Sequence, residues 1–424
     1  MNNQINKFTP ELRFPEVRNA ESWKEKTLEE VVDYENGKAH EQGIDINGKF
    51  IVVNSKFIST DGEVKKFTNT AFCLAKKGDI LMVLSDVPNG RAIAKCFFVD
   101  KDDFYTVNQR ICKLTLKKAE GKLLFYLLNR SPYFLSFDDG VKQTNLKNED
   151  VLNCPLLIPK EPKEQQKIAE CLSSLDEVIA AHSQKLEALK THKKGLMQNL
   201  FPQGCEKVPK LRFKEFENNG EWVEKSVQLL IDEKWIVSHL DGNHGALYPK
   251  AEEFSKAGIP YITANDFVSG IIDFSKCKYL PLQKAKQFKK GVAKNGDILF
   301  AHNATVGPVA KLVTIFPFVI LSTTATYFRC DNKNLVNDFL LYGLASPFFV
   351  KQYTRVMSQS TRNQVPITTQ RDFILQLPQP KEQQKIASCL SSLDDLITAQ
   401  RDRLEQLKLH KKGLMQGLFP KTIQ

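Results

Sequence analysis

An α+β fold is predicted, in which two mixed α/β globular domains alternate with two long helices that pair as an antiparallel coiled coil about a pseudo-twofold axis. Three observations lead there. One block of the chain is written twice. Each copy carries a sustained heptad pattern bracketed by prolines. The two stretches outside the copies share turn signatures while differing in most other residues.

The repeated block opens at Pro162-Lys163-Glu164-Gln165-Gln166-Lys167-Ile168-Ala169 and returns 218 residues later as Pro380-Lys381-Glu382-Gln383-Gln384-Lys385-Ile386-Ala387. The register holds without a gap through Lys193-Lys194-Gly195-Leu196-Met197-Gln198 and Lys411-Lys412-Gly413-Leu414-Met415-Gln416. It closes at Phe201-Pro202 and Phe419-Pro420, with about 30 of 41 positions identical. Near-identical blocks around dissimilar ones imply a pseudo-symmetric molecule that does one job on two targets.

In the first copy Ile168, Leu172, Leu175, Ile179, His182, Leu186, Leu189, Lys193, Leu196 and Leu200 are spaced by steps of four and three. The second gives Ile386, Leu390, Leu393, Ile397, Gln400, Leu404, Leu407, Lys411, Leu414 and Leu418. This is an a/d seam with charged residues between. Pro155, Pro159 and Pro162 precede the first copy and Pro202 follows it, while Pro378 and Pro380 precede the second and Pro420 follows. Proline suits a first helical turn and stops a helix beyond its end. Residues 164–199 would span about 54 Å at 1.5 Å per residue. Antiparallel pairing predicts Ile168 near Leu414, Leu196 near Ile386, and the polar seam members His182 and Gln400 facing one another at the centre. A polar core residue can fix register at a cost in stability.

A weaker repeat precedes each dissimilar block. Leu12-Arg13-Phe14 followed by Trp23 matches Leu211-Arg212-Phe213 followed by Trp222, and Glu25-Lys26 matches Glu224-Lys225. Inside the blocks, Ala75-Lys76-Lys77-Gly78-Asp79-Ile80-Leu81 echoes Ala293-Lys294-Asn295-Gly296-Asp297-Ile298-Leu299, a turn leading into a buried strand. Phe50-Ile51-Val52-Val53 and the run Phe316 to Leu321 read as strands. Phe125 to Leu128 and Phe339 to Tyr342 read as helices, each stopped by Ser-Pro at Ser131-Pro132 and Ser346-Pro347. The predicted segments are a domain over 1–160, a helix over 161–202, a domain over 203–378 and a helix over 379–424. Globular parts of this size can bury a core.

With 60 Lys+Arg against 49 Asp+Glu the formal charge is +11, which favours a polyanionic partner. No apolar run approaches the roughly 20 residues that cross a bilayer, and the polar start has no signal-peptide core. Nine scattered cysteines without a C-x-x-C pair point to reduced thiols and no metal site. A cytoplasmic location is expected.

Catalytic signatures fail one by one. Gly43 to Phe50 nearly matches a phosphate-binding loop, but Phe50 stands where a magnesium-coordinating hydroxyl is needed, so a surface turn is the better reading. His239 and His244 lack the glutamate of a zinc-protease helix, and Gly242 lies between them. No glycine-rich strand–helix turn suits a dinucleotide or methyl donor. The chain has no Pro-Pro dipeptide, so the Pro-Pro motif of amino-group DNA methyltransferases is absent. A non-catalytic chain with no metal or cofactor of its own is expected.

With its twin Pro-Lys-Glu-Gln-Gln-Lys-Ile-Ala and Lys-Lys-Gly-Leu-Met-Gln segments, its two Leu-Arg-Phe openings and its two Gly-Asp-Ile-Leu tags, the chain resembles the specificity subunit of a type I restriction–modification system over essentially its whole length. The resemblance implies two target-recognition domains, each reading one half of a bipartite site on double-stranded DNA, and a ruler of two antiparallel helices. It also implies two docked modification subunits, which carry S-adenosylmethionine and methylate adenine N6. Two restriction subunits, with ATP and magnesium, would join that core. Competing readings are an internally duplicated methyltransferase or nuclease, a scaffold whose domains ignore nucleic acid, and the recognition subunit of a related assembly.

Base readout needs donor and acceptor side chains on loops, with Lys and Arg positioning the backbone. The first domain offers Asn36, Lys38, His40, Asn89, Arg91, Lys142, Gln143, Thr144 and Asn145 as DNA-binding candidates. The second offers Asn243, His244, Tyr248, His302, Asn303, Thr305, Gln359, Thr361, Arg362 and Asn363. The Lys142 and Gln359 loops both lie just before a proline-rich helix start, and so are positional counterparts. Gly195 and Gly413 are the expected partner-docking positions, because helical glycine costs about 1 kcal/mol relative to alanine and is present in both copies.

Overall fold

The computed structural model describes residues 8–117, 119–359 and 363–420. Thr361 and Arg362 lie outside the described residues. The chain divides into one unit made of residues 1–183 and 403–424 and another made of residues 184–402.

Each Gly-Asp turn works through two atoms. Gly78 and Gly296 take φ of +95° and +92°, a conformation that favours glycine. The neighbouring carboxylates close the turn, Asp79 Oδ2 accepting from Lys76 N at 2.8 Å and Asp297 Oδ2 from Lys294 N at 2.7 Å. The strands that follow, Ile80–Val83 and Ile298–Asn303, are buried on both faces, which is why they show no apolar–polar alternation. Ile80 and Met82 join a cluster with Leu114, Leu124 and Phe134, while Leu81 and Val83 join another with Ile51, Tyr105 and Val107. Ile298 and Phe300 separate from Leu299 in the same way in the second unit.

Both units use one sheet topology. The first has an antiparallel sheet in the order Val32–Asn36, Ile111–Leu116, Ile80–Val83, Cys96–Phe98. Its second sheet runs Phe67–Thr68, Phe50–Val53, Tyr105–Val107, Leu74–Ala75, with a parallel central pair. The second unit repeats the antiparallel sheet as Ile236–Asp241, Ala325–Cys330, Ile298–Asn303, Thr305–Lys311. Its other sheet runs Lys278–Leu280, Ile259–Ile262, Val319–Leu321, Val292–Ala293, again with a parallel centre. A two-stranded ribbon in each unit, Lys24–Thr27 with Pro155–Ile158 and Val223–Ser226 with Ile374–Leu377, carries the chain into its long helix.

Two local expectations need correction. Ser131-Pro132 and Ser346-Pro347 do not simply stop the helices Gly121–Leu128 and Asn337–Leu344; they start the helices Pro132–Leu135 and Pro347–Ser358. Proline at the first helical position lacks only an N–H that would be unpaired anyway, and Ser346 Oγ accepts from Phe349 N. The run from Phe316 is strand only over Val319–Leu321, since Pro317 cannot donate to a ladder. His239 lies on a strand, Ile236–Asp241, which ends before Gly242.

The long helices are Pro162–Asn199 and Pro380–Leu418. In the first unit Ile168 and Leu172 cluster with Leu414 and Leu418, and in the second Ile386 and Leu390 cluster with Leu196 and Leu200. Each start therefore packs against the other helix's end, as antiparallel pairing requires. In the first helix Leu186 is also buried while Leu175, Ile179, His182 and Leu189 are half-buried; in the second Leu393, Ile397, Gln400, Leu404 and Leu407 are all buried. Among the described residues no helix is long and apolar enough to cross a membrane, and all nine cysteines are free thiols.

Candidate nucleic-acid interface

The ends of the strands Val32–Asn36 and Ile80–Val83 lie at one edge of the first unit's antiparallel sheet, because both flank Ile111–Leu116 in antiparallel register. The segment before the long helix adds to that edge, Thr144–Asn145 pairing with Ser85–Asp86. The second unit builds the same edge from Asp241, Asn303 and the 363–365 segment. There Asn303 bridges Gln364, Ala304 N donates to Asn363 O at 2.9 Å, and Val365 N donates to His302 O at 2.8 Å. The two segments expected to be counterparts thus occupy equivalent places.

In the first unit Gln143 Nε2 donates to Ser85 Oγ at 2.7 Å, and Asn89 Nδ2 to Gly140 O at 3.0 Å, which joins the 85–91 and 138–145 loops. Asp86 shapes the former, accepting from Val87 N, Ala92 N and Ile93 N. Gly37 lets the 36–40 loop cross closely, since a Cβ there would stand 2.1 Å from Asn108 O. The Tyr34 hydroxyl lies 2.7 Å from Asn36 Oδ1 and 2.8 Å from Asn148 Oδ1. Tyr34 and Asn148 were not singled out in the sequence, whereas the loop from Ser85 through Arg91 was. Asn36, Lys38, Asn89, Arg91, Lys142, Gln143 and Asn145 are exposed.

His40 and Thr144 turn inward. His40 Nδ1 donates to Lys38 O at 2.6 Å and Nε2 accepts from Thr106 Oγ1 at 2.9 Å, so both ring nitrogens are used within the loop. Thr144 is buried, its hydroxyl donating to Asp138. Both side chains are buried and spend their polar atoms shaping the fold around these loops.

In the second unit Asn243, Tyr248, Thr305, Gln359 and Asn363 are exposed and Asn303 is half-buried. His244 Nε2 donates to Leu321 O at 2.7 Å, and its ring packs on Phe288. His302 is 5% exposed, and neither ring nitrogen has a partner among the described residues. His239 Nε2 donates to Gln370 Oε1 at 3.3 Å under a stacked Phe328. Burial lowers the pKa of all three, that of His239 to about 3. His302 is therefore an interior group, and His244 is half-buried against Phe288. Among the described residues no group of three or more His, Cys, Asp or Glu side chains could hold a metal.

The repeated blocks hold these edges in place. Arg13 Nε and Nη2 reach Glu164 at 2.8 and 3.1 Å, while Leu12 N donates to Gly417 O at 2.8 Å. Arg212 grips Glu382 at 2.8 Å with both nitrogens, and Leu211 N donates to Asn199 O at 2.9 Å. Each Leu-Arg-Phe segment thus ties the start of one long helix to the end of the other. Gln165 Oε1 accepts from Glu120 N, and Gln383 Oε1 from Val336 N, so each caps the start of a domain helix. Asp176 accepts from Lys411 Nζ at 2.5 Å and from the Tyr126 hydroxyl at 2.7 Å. Asp394 accepts from Lys193 Nζ at 2.5 Å and from the Tyr342 hydroxyl at 2.8 Å. Gly195 and Gly413 have nothing within 4 Å of where a Cβ would stand.

Two domains of one topology, each presenting its own polar edge and each fastened to a repeated helix, define a duplicated recognition subunit. The chain belongs to the family described as the type I restriction modification DNA specificity domain, whose model matches residues 20–191 and 237–409. It is a specificity subunit and not the catalyst. The MjaVIII type I restriction enzyme specificity subunit of Methanocaldococcus jannaschii is similar, with 27% identity over 99% of this chain and 98% of the relative. A putative MjaX specificity subunit from the same organism is 27% identical over 82% of this chain and 79% of its own. Among solved structures, the type I system S subunit from M. genitalium superposes with a TM-score of 0.65 at 17% identity, covering 98% of this chain and 100% of that one. A chain from structural work on complex assembly and conformational transition of the type I system superposes with a TM-score of 0.53 at 16% identity, covering 95% and 98%.

Proposed function

We propose that this subunit reads a bipartite site on double-stranded DNA, one half per domain, and docks two modification subunits that methylate adenine N6. The observation that carries the reading is the equivalent sheet edge in the two units, with Ser85, Gln143 and Asn145 on one and Asn303, Asn363 and Gln364 on the other. Equal scaffolds with unequal donors and acceptors suit two different half-sites. Lys38, Arg91 and Lys142 would position the phosphate backbone.

Docking of the modification subunits is assigned to the repeated helices around Gly195 and Gly413. The open space over both glycines favours this. Two restriction subunits would complete the complex in the cytoplasm. S-adenosylmethionine, ATP and magnesium belong to those partners in this reading.

Exchange of residues 224–375 for the equivalent block of a relative tests the modular part. One half of the methylated motif should change and the other persist; change in both halves, or in neither, would overturn it. Gly195→Leu combined with Gly413→Leu should abolish capture of modification subunits while the chain stays folded, and normal capture would remove the docking assignment.

A further inference from the structure

Two side-chain triads recur across domains that otherwise differ in sequence. We infer that Tyr126–Asp176–Lys411 and Tyr342–Asp394–Lys193 are positioning devices that fix the pose of each recognition domain on its helix pair and so set the spacing at which two half-sites are accepted. The inference rests on the bipartite reading above.

Each triad draws on three elements. In the first unit the tyrosine comes from the domain helix Gly121–Leu128, the aspartate from the first long helix and the lysine from the second. In the second unit the tyrosine comes from Asn337–Leu344 and the helices exchange roles. The geometry is closed. One carboxylate oxygen takes the lysine and the other the tyrosine hydroxyl. The ammonium stands 4.9 Å from the Tyr126 ring centre in one triad and 5.4 Å from that of Tyr342 in the other. No member can swing without disturbing two contacts.

Glu120 N to Gln165 and Val336 N to Gln383 already tie each domain helix to one long helix, and the triad adds the second helix of the pair to that tie. Leu123 and Leu172 in one unit, and Leu340 and Leu390 in the other, are packed by apolar burial, which is non-directional and tolerates small rotations. Hydrogen bonds to a carboxylate are directional and short. The triad also explains why a lysine occupies a seam position in each helix, where an apolar residue would pack better. Side-chain exposure of 22% for Lys411 and 27% for Lys193 places both pairs at the rim, so loss of one hydroxyl should alter pose before it unfolds the domain. Tyr126 and Tyr342 are themselves nearly buried, which leaves each hydroxyl few other partners.

The test uses the full chain co-expressed with its modification subunits and selects duplexes from a library with randomised half-sites and a spacer of variable length. Wild type should return one two-part motif with one preferred spacer. Tyr126→Phe and Tyr342→Phe, singly and together, should return the same half-sites while enriching spacers one base pair longer and shorter by at least about five-fold over wild type. Lys411→Arg, which keeps both the donor and the cation over the ring, should retain the wild-type spacer. A single unchanged spacer in the Tyr→Phe double variant would overturn the inference. So would equal broadening in a Leu172→Val chain matched for thermal stability, because softness alone would then suffice. If wild type itself returns no two-part motif, the bipartite reading fails, and the inference with it.

Discussion

Replacing Arg13 by alanine should be among the most damaging single changes available outside the recognition edges. The side chains of Arg13 and Glu164 are 7% and 2% exposed, so the pair is sealed from water. Arg13→Ala removes both bonds to the carboxylate and two more to the carbonyls of Ala20 and Glu21. What remains for Glu164 is Trp23 Nε1 at 3.2 Å. Breaking a buried pair from one side costs about 3–5 kcal/mol, chiefly because a charge stays behind. Arg212→Ala should cost more. Among the described residues Glu382 has only Arg212, and the corresponding indole nitrogen of Trp222 has no partner. The difference should approach one hydrogen bond to a charged group, about 1.5–3 kcal/mol. Replacing both partners by methionine, as Arg13→Met with Glu164→Met, should recover most of the loss. Urea unfolding would be followed by fluorescence of Trp23 in a background with Trp222 and Trp235 changed to phenylalanine, and by Trp222 and Trp235 in a Trp23→Phe background. A cost below about 1 kcal/mol for Arg13→Ala would refute the argument that stranded charge dominates, and a larger cost for Arg13→Ala than for Arg212→Ala would refute the role given to Trp23.

Three further outcomes are expected. His239 is neutral in the fold with a pKa lowered to about 3, whereas the unfolded chain takes up a proton near the ordinary 6.5. Its stabilising contribution is therefore complete above 6.5 and falls as pH drops, by up to about 1.4 kcal/mol per pH unit until about 3. Denaturant unfolding from pH 7.5 to 4.5 should show this loss in wild type and a flatter profile in His239→Gln. Gly78→Ala and Gly296→Ala should each cost about 1 kcal/mol from backbone strain alone, since φ is strongly positive and an added Cβ meets nothing closer than 3.7 Å; thermal melts showing no change would contradict this. Asn243→Ala should cost about 1–3 kcal/mol on the cognate duplex only, if its amide reads a base, whereas equal weakening on every duplex in a titration would mark a phosphate contact.

The long helices were legible because duplication turns a weak pattern into a strong one: one seam could be a core stripe, but two with equal brackets could not easily be. The Gly-Asp turns were legible because their geometry is local. The partners that hold the domains were not. Arg13 and Glu164 lie 151 residues apart, and nothing in either neighbourhood names the other. Tyr126 read as one more apolar member of a helix, although its hydroxyl was the informative atom. His40 and Thr144 lie inside for a common reason: polarity within a loop says that a side chain needs partners, not that it finds them outside the protein. At His40 the backbone of Lys38 and the hydroxyl of Thr106 met the need first.

The first unit closes with a piece of chain from far away in sequence, residues 403–424, whereas the second is one continuous stretch, residues 184–402. During synthesis this inverts the order of completion. The first domain's residues leave the ribosome early, but Asp176 waits for Lys411, and Ile168 waits for Leu414 and Leu418, until more than two hundred further residues have followed. The second unit has all its segments by residue 402 and can settle first. Until then the apolar start of the first helix is uncovered, a window in which a second nascent copy could supply the missing strip. A cut after residue 402 should accordingly leave the second unit intact and strand the first.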